Sequence, residues 1–337
     1  MLEKQQNRIF SLLNKIIKKH PYMVVIVLHE YFRNLYPTDP HIQFKEKNPI
    51  KRISNVQKLL ITLIINFKEF GSYKIKFNHK KEKVELKKEI GNFYTKFWEK
   101  LGKRENLRTK RFIIERFKNF KSFNKNFFKN KTIIDIGCGG GRYTNALRQL
   151  GGKKIIGVDA SNESINLAKS NYKYKNLFFK KQDALKLTYS NNSFDIVFCN
   201  GVLHHTSNLK KTIKEVVRIC KPNGYIYLFL YGKGGIYWPA RRKMNKLMKK
   251  IPEKYSQDIL DLIGMPSNRF IFMDNWYVSA EKHHTHKEVY KILNSLNVRS
   301  IEKMMIGTKT DLETGLKKFK NSKQIWGEGE IRILIRK

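Results

Sequence analysis

Apolar positions along this chain follow two different periods, and the change comes near residue 130. Before it, helical spacing prevails. Residues 3–20 set Ile9, Phe10, Leu12, Leu13, Ile16 and Ile17 beside lysines, Tyr22–Leu35 reads as a second helix, and Asn55–Phe70 as a third that ends at Gly71. Pro37, Pro40 and Pro49 mark an irregular link between the second and third. Ser72–His79 alternates like a strand, and Lys80 to Asn130 is charged and helical. Phe112, Phe117, Phe120 and Phe127 recur there among lysines. That row predicts the buried face of an amphipathic helix ahead of a surface on which RNA bases stack. After residue 130 short apolar runs take over: Ile133–Ile136, Lys154–Asp159, Leu177–Lys181, Phe194–Asn200, Tyr225–Leu230, Val298–Ile306 and Ile331–Ile335. Each has the length of a strand, and helical segments lie between them.

The first of these runs leads directly into glycines at 137, 139 and 141, with a helix predicted immediately beyond. Glycines in that position allow a bulky ligand to lie against the backbone. A dinucleotide fingerprint, G-x-G-x-x-G, is excluded by register, because the sixth residue counted from Gly137 is Arg142. What stands is D-x-G-x-G-x-G, starting at Asp135. The later runs continue in order. Lys154–Asp159 ends in a carboxylate, which can accept both hydroxyls of a ribose. Leu177–Lys181 leads to Asp183 and Ala184; Asn192–Asn200 is followed by Gly201, Val202, Leu203, His204 and His205; Lys221-Pro-Asn-Gly224 precedes the fifth run.

These five ordered segments, over about 100 residues, resemble the motifs of class I S-adenosylmethionine (SAM) dependent methyltransferases. The similarity is greatest to the small-molecule group that includes the ubiquinone and menaquinone methyltransferases. The resemblance implies a Rossmann-like α/β fold with a seven-stranded sheet whose last strand is antiparallel. It implies SAM as cofactor, held by Asp135, Gly137, Cys138, Gly139, Gly141, Asp159, Ala160, Asp183, Ala184, Asn200 and Gly201, with Asp183 at the adenine amino group. Gly91–Trp98 resembles the aromatic cap that closes over the cofactor in this family. The implied layout is a mainly helical extension over residues 1–90 and a methyltransferase domain over 91–337.

A long insertion, about Tyr231–Lys287, interrupts that domain after the fifth strand. It carries Gly232, Gly234 and Gly235, a basic helix at Arg241–Lys250 and a mostly apolar one at Gln257–Ile263. Insertions placed here in the family form the substrate lid, so Trp238, Trp276, Tyr277, His283, His284 and His286 are candidates to surround the acceptor. The glycines would be its hinge. The Lys287–Leu296 helix and the next strand resemble the family's closing motif, with Asn297 where glycine is usual. Three histidines within 283–286 invite a metal site, but no cysteine or nearby carboxylate completes a ligand set, so no metal is expected.

The candidate chemistry is methyl transfer to an O, N or C atom. A sulfonium already has a good leaving group, so the protein must align acceptor, methyl and sulfur and exclude water. His205 and His204 are the candidate bases for an acceptor proton. Asp195 is expected to orient the start of the fourth strand, and Cys138 to pack within the turn. Asn200-Gly-Val-Leu stands where nucleic-acid amino methyltransferases carry N/D-P-P-Y/F, and the loop has no Pro-Cys pair for cytosine C5 chemistry. A small molecule, such as a lipid, quinone or sugar, is therefore the expected acceptor. An RNA methyltransferase, or a non-catalytic member of the fold that binds RNA or a membrane surface, is the alternative.

Charge keeps that alternative open. The 337 residues hold 69 Lys and Arg against 28 Asp and Glu, a net charge of +41. The excess covers the whole chain and is densest over residues 101–130, with 10 basic and 2 acidic residues. Such a field attracts nucleic acid and anionic membranes. Lys, Asn, Ile, Phe and Tyr are abundant together, as AT-rich coding produces, so coding bias and a functional surface both account for it. The longest apolar runs, Met23–Leu28 and Leu59–Phe67, are too short to span a bilayer. No signal peptide is apparent, and the three cysteines have neither zinc-site nor disulfide spacing. A cytoplasmic, reduced setting is the expectation.

Overall fold

The computed structural model describes residues 1–38, 43–67, 103–265, 269–278 and 282–337. The expected strand at 72–79 and the aromatic cap at 91–98 lie outside these residues. The described chain divides into two compact units.

The first unit is helical and drawn from separate stretches of sequence. Its helices are α1 (Leu2–Ile16), α2 (Pro21–Leu35) and α3 (Pro49–Phe67). Pro21 and Pro49 each stand in a first helical turn, where the missing N–H costs nothing. The three helices share a buried polar triangle. Tyr31 Oη donates to Gln6 Oε1 at 2.6 Å, and Gln57 Nε2 donates to Tyr31 Oη at 2.9 Å and to Leu2 O at 3.0 Å. These bonds tie the three helices together, while Gln6 Nε2 and Gln57 Oε1 have no hydrogen-bond partner among the described residues.

The second unit is built on a seven-stranded sheet with neighbours in the order β3-β2-β1-β4-β5-β7-β6. It begins with α4 (Lys103–Phe117), then β1 (Thr132–Ile136), α5 (Arg142–Gln149), β2 (Lys154–Asp159), α6 (Asn162–Asn171), β3 (Leu177–Lys181) and β4 (Phe194–Asn200). A short 3₁₀ turn (Leu203–His205) and α7 (Leu209–Ile219) lead to β5 (Cys220–Tyr231). β1 to β5 pair in parallel. The chain then returns to the first unit for α8 (Tyr237–Met248), α9 (Glu253–Leu262) and α10 (Arg269–Tyr277). It re-enters the second for α11 (His286–Asn294) and β6 (Ser300–Lys303). After α12 (Leu312–Lys318) and α13 (Lys323–Trp326) in the first unit, β7 (Glu330–Arg336) inserts antiparallel between β5 and β6. The expected sheet, with its antiparallel last strand, is present.

Each face of the sheet has its own core. One joins Ile134, Val197, Ile226 and Ile333 to Ile213 of α7 and Val289 of α11. The other joins Ile133, Phe198 and Tyr227 to Leu147 of α5, Ile165 of α6 and Phe117 of α4. Phe120 and Phe127 are buried with them although α4 ends at Phe117, so these two rings reach the core from the turns after the helix and not from its face, and Phe112 on the helix is half-buried. The ring of Phe117 lies 5.0 Å from that of Tyr227 and 6.2 Å from that of Phe198.

Several predicted boundaries move, two of them in the sheet. The strand expected at 298–306 shortens to β6, and Asn297 ahead of it holds φ at +51°, the left-handed conformation that a glycine would otherwise supply. The turn expected at Lys221–Gly224 becomes an irregularity inside β5. Cys220 pairs with Phe194 and Tyr225 with Ile196, so the intervening residues loop outward.

The 231–287 insertion is not one element. Residues 233–278 group with α1–α3, and 282–287 group with the sheet. Trp238 and Trp276 are buried within the helical unit, where Trp276 packs on Phe272 and its carbonyl accepts from Asn245 Nδ2 at 3.1 Å. Tyr277 Oη sits 2.6 Å from Ser256 Oγ. Burial gives both tryptophans a packing role within that unit. Of the expected hinge glycines, Gly235 is enclosed: a Cβ there would meet Ile325 O at 2.4 Å, and Glu328 N donates to Lys233 O at 2.8 Å.

Candidate functional site

The carboxyl ends of β1, β2, β3 and β4 assemble most of the expected cofactor residues on one edge of the second unit. The glycine turn follows β1. Gly137 and Cys138 donate their amides to Val158 O at 2.7 and 2.9 Å, which ties the turn to the end of β2. Gly137, Gly139 and Gly141 all have positive φ, at +73°, +51° and +84°. Gly137 is also enclosed: an added Cβ would fall 2.2 Å from Val202 Cγ2. Gly141 caps the start of α5, so the turn ends on the amide-rich terminus of a helix.

Asp159 stands at the tip of β2 and is braced from two sides. Its Oδ2 accepts from Gly139 N at 2.9 Å and its Oδ1 from Ser161 N at 3.0 Å. Burial holds its carboxyl above the ordinary range, partly offset by these amides. One carboxylate thus links the glycine turn to the β2 edge and retains lone pairs for a ligand's hydroxyls. Asp159→Ala removes that brace and those acceptors. A loss of 1.5–3 kcal/mol in SAM binding, roughly 10- to 150-fold, is expected by calorimetry on the folded variant.

Asp135 takes a different position from the one expected of a cofactor ligand. It is buried beneath the turn, and its Oδ2 accepts from Thr144 Oγ1 of α5 at 2.7 Å. Burial, reinforced by the neighbouring Asp159 charge, pushes its carboxyl up to about 7 from 3.8. Between those values the folded chain holds a proton that the unfolded chain releases, so stability falls as pH rises from about 4 to about 7. Asp135→Asn keeps an acceptor for Thr144 and removes the ionisation. Relative to the parent, it should gain about 2–4 kcal/mol of unfolding free energy on going from pH 5 to pH 8, by urea titration.

The other candidate cofactor residues stand at the neighbouring strand ends. Asp183 follows β3, and its Oδ1 accepts from Leu185 N at 3.0 Å. Ala160 and Ala184 flank the two acids, and Gly201 continues from β4 with φ +80°. Cys138 is buried, its thiol pushed well up by burial, which suits a packing group and not a nucleophile. Asp195 lies at the opposite end of β4, where it accepts from Thr132 N at 2.8 Å and Lys221 Nζ at 2.9 Å. It orients strand starts, as expected.

SAM fits this edge. Asn200 Oδ1, at the end of β4, is buried and has no hydrogen-bond partner among the described residues. A buried acceptor left in that state is costly. An ammonium or hydroxyl donor of the cofactor would satisfy it.

Beside Asn200 the histidines form a cluster with Tyr231 of β5. His204 is fully buried, its ring stacked on Tyr231 at 3.8 Å. The half-buried His205 ring lies 4.2 Å from His204, and His283 lies 6.4 Å from Tyr231. Backbone bonds hold the segment: Lys282 N donates to His204 O at 3.1 Å and His284 N to Tyr231 O at 3.1 Å. The structure thus brings His204, His205 and His283 together. His286 diverges as the first residue of α11, behind a Thr285–Glu288 capping box. Sequence reasoning missed Tyr231, Val202 and Thr144. Only Val202 had a local signal, its place in the motif after β4.

A methyltransferase-domain family model matches residues 127–296, just over half of the chain. Over 101 residues the chain is 34% identical to a ubiquinone biosynthesis O-methyltransferase of Coxiella burnetii, covering 29% of this chain and 43% of that protein. Over 99 residues it is 34% identical to an uncharacterized methyltransferase, YcgJ, of Bacillus subtilis, covering 28% and 39%. The chain therefore spans less than half the length of these two curated relatives. Among solved structures, a SAM-dependent methyltransferase of Mesorhizobium loti aligns over 62% of this chain and 92% of that one, at 15% identity and a TM-score of 0.42.

Proposed function

Since this chain belongs to the methyltransferase-domain family, whose cofactor is SAM, we propose that it methylates an O, N or C atom of a small-molecule acceptor, with a hydroxyl as the favoured target. The observation that carries the reading is the cluster of His204, His205, Tyr231 and His283 beside Asn200. The similarity to a ubiquinone biosynthesis O-methyltransferase supports a phenolic or enolic hydroxyl within the class of lipid, quinone and sugar acceptors.

SAM supplies a methyl group on a sulfonium that departs as a neutral thioether. In this reading Asp159 accepts the ribose hydroxyls, Asp183 faces the adenine amino group and Asn200 accepts from the ammonium. His205 takes the acceptor's proton, because it is the more accessible of the two histidines. The buried His204, stacked on Tyr231, positions it. The apolar rings exclude water from the transfer path.

The test is methyl transfer itself. Purified protein, labelled SAM and fractionated small-molecule extract should yield one labelled product that is absent without protein. Robust labelling of purified tRNA or rRNA, with none in the small-molecule fraction, would overturn the reading.

A further inference from the structure

The amino edge of the sheet lies opposite the acids of the cofactor edge, and almost every strand brings a cation to it. Lys131 precedes β1, and Lys153 N donates to its carbonyl at 2.8 Å at the start of β2. Lys175 precedes β3, whose Leu177 pairs with Ile155 of β2. Lys221 lies at the start of β5. β7 runs the other way, so Lys337 arrives at the same edge and donates its amide to Gly224 O at 3.0 Å. Arg299 N, ahead of β6, donates to Arg336 O at 2.9 Å. Seven strands at about 4.8 Å spacing make this a row roughly 30 Å long.

Two acids near the row are engaged. Asp195 holds Lys221 and the Thr132 amide, and that pairing keeps its carboxyl below the usual range against the effect of burial. Glu302 bonds Ser122. Between them lies a groove of about 450 Å³, lined by Asn124, Asn126, Lys131, Lys221, Asn223 and Tyr225. Two rings stand exposed at the β3 end of the row. Tyr174, 47% exposed, lies under the Arg148 guanidinium at 3.7 Å, and Phe178, 41% exposed, has Lys154 Nζ at 5.7 Å.

We propose that this edge is a docking surface for single-stranded RNA, with phosphates along the lysine row and bases on Tyr174 and Phe178, separate from the methyl-transfer cleft. A row of cations that ends at two exposed rings, with amide side chains beside it, offers what such a strand requires. A membrane surface fits less well, because docking it here would turn the cleft at the far edge away from a lipid acceptor.

With a net charge of +41, attraction to polyanions is expected anywhere on the surface, so the test compares locations. The triple variant Lys131→Gln, Lys153→Gln, Lys175→Gln is set against Lys210→Gln, Lys211→Gln, Lys214→Gln on α7, all six being exposed in the parent. Binding of a labelled 15-nucleotide oligouridylate is followed by anisotropy from 50 to 300 mM salt. The edge triple should bind at least tenfold more weakly at 100 mM salt, with a salt slope shallower by about 2, at roughly 0.7 per phosphate. The α7 triple should lose less than threefold. Tyr174→Ala should weaken RNA binding about fivefold and leave binding to phosphatidylserine vesicles unchanged. SAM binding should be equal in all variants, which reports folding. Equal losses in both triples, or an edge triple that loses vesicles but not RNA, would overturn the proposal.

Discussion

Gly137→Ala is expected to abolish SAM binding, with at least a 100-fold loss of affinity and a destabilisation of about 2–5 kcal/mol. Two effects combine. The backbone at 137 sits at φ +73°, which costs an alanine on the order of 1–2 kcal/mol. The new Cβ would also lie 2.2 Å from Val202 Cγ2 and 2.5 Å from its Cγ1. Valine is stiff at χ1 and cannot rotate away cheaply, so overpacking adds about 1–3 kcal/mol. The turn must then leave the position that lets Gly139 bond Asp159. Adding Val202→Ala should recover the overpacking part of the stability and leave the conformational cost. Urea titration and calorimetry check both, and wild-type SAM affinity in Gly137→Ala would refute the enclosed-turn argument.

His205→Ala should lower kcat by roughly 10²- to 10⁴-fold, the range for removing a positioned base. The KM for SAM should change less than threefold, since His205 is assigned to the acceptor side. His204→Phe separates the two histidines. A phenyl ring can keep the stack on Tyr231, so kcat should fall tenfold or less. A kcat within threefold of the parent's after His205→Ala would remove the base from this assignment.

The cofactor edge was legible in the sequence because its requirements are local. The glycines of the turn and the acid at the end of Lys154–Asp159 are properties of single strand-loop segments, and each appears where the register places it. The burial of the rings at 117, 120 and 127 was anticipated but not its cause, since α4 ends at Phe117 and the other two rings reach the core from the turns beyond it. Asp135 was misjudged because its role depends on Thr144 nine residues later and on depth below the turn, which no motif encodes. The 231–287 insertion was read as one lid because it is contiguous in sequence. Its division between units depends on α1–α3 and residues 309–329, more than 150 positions away in one direction and some 30 in the other. Long-range packing leaves no periodic trace. The histidine cluster was half visible: the pair at 204–205 stood out, but its stacking partner Tyr231 looked like any residue at the end of a strand.

The discontinuous first unit also has a consequence for how the chain is made. α1–α3 leave the ribosome well before α12 and α13, which complete their unit and follow some 250 residues later. At about 5–20 residues per second that is a wait of roughly 12–50 s. The sheet has the same dependence, because β7 enters between strands already synthesised. During that interval the buried faces of Val24, Leu28 and Ile61 have no complete core to join. The nascent protein should therefore occupy a chaperone for most of its synthesis, and slowing translation should lower its soluble yield instead of raising it.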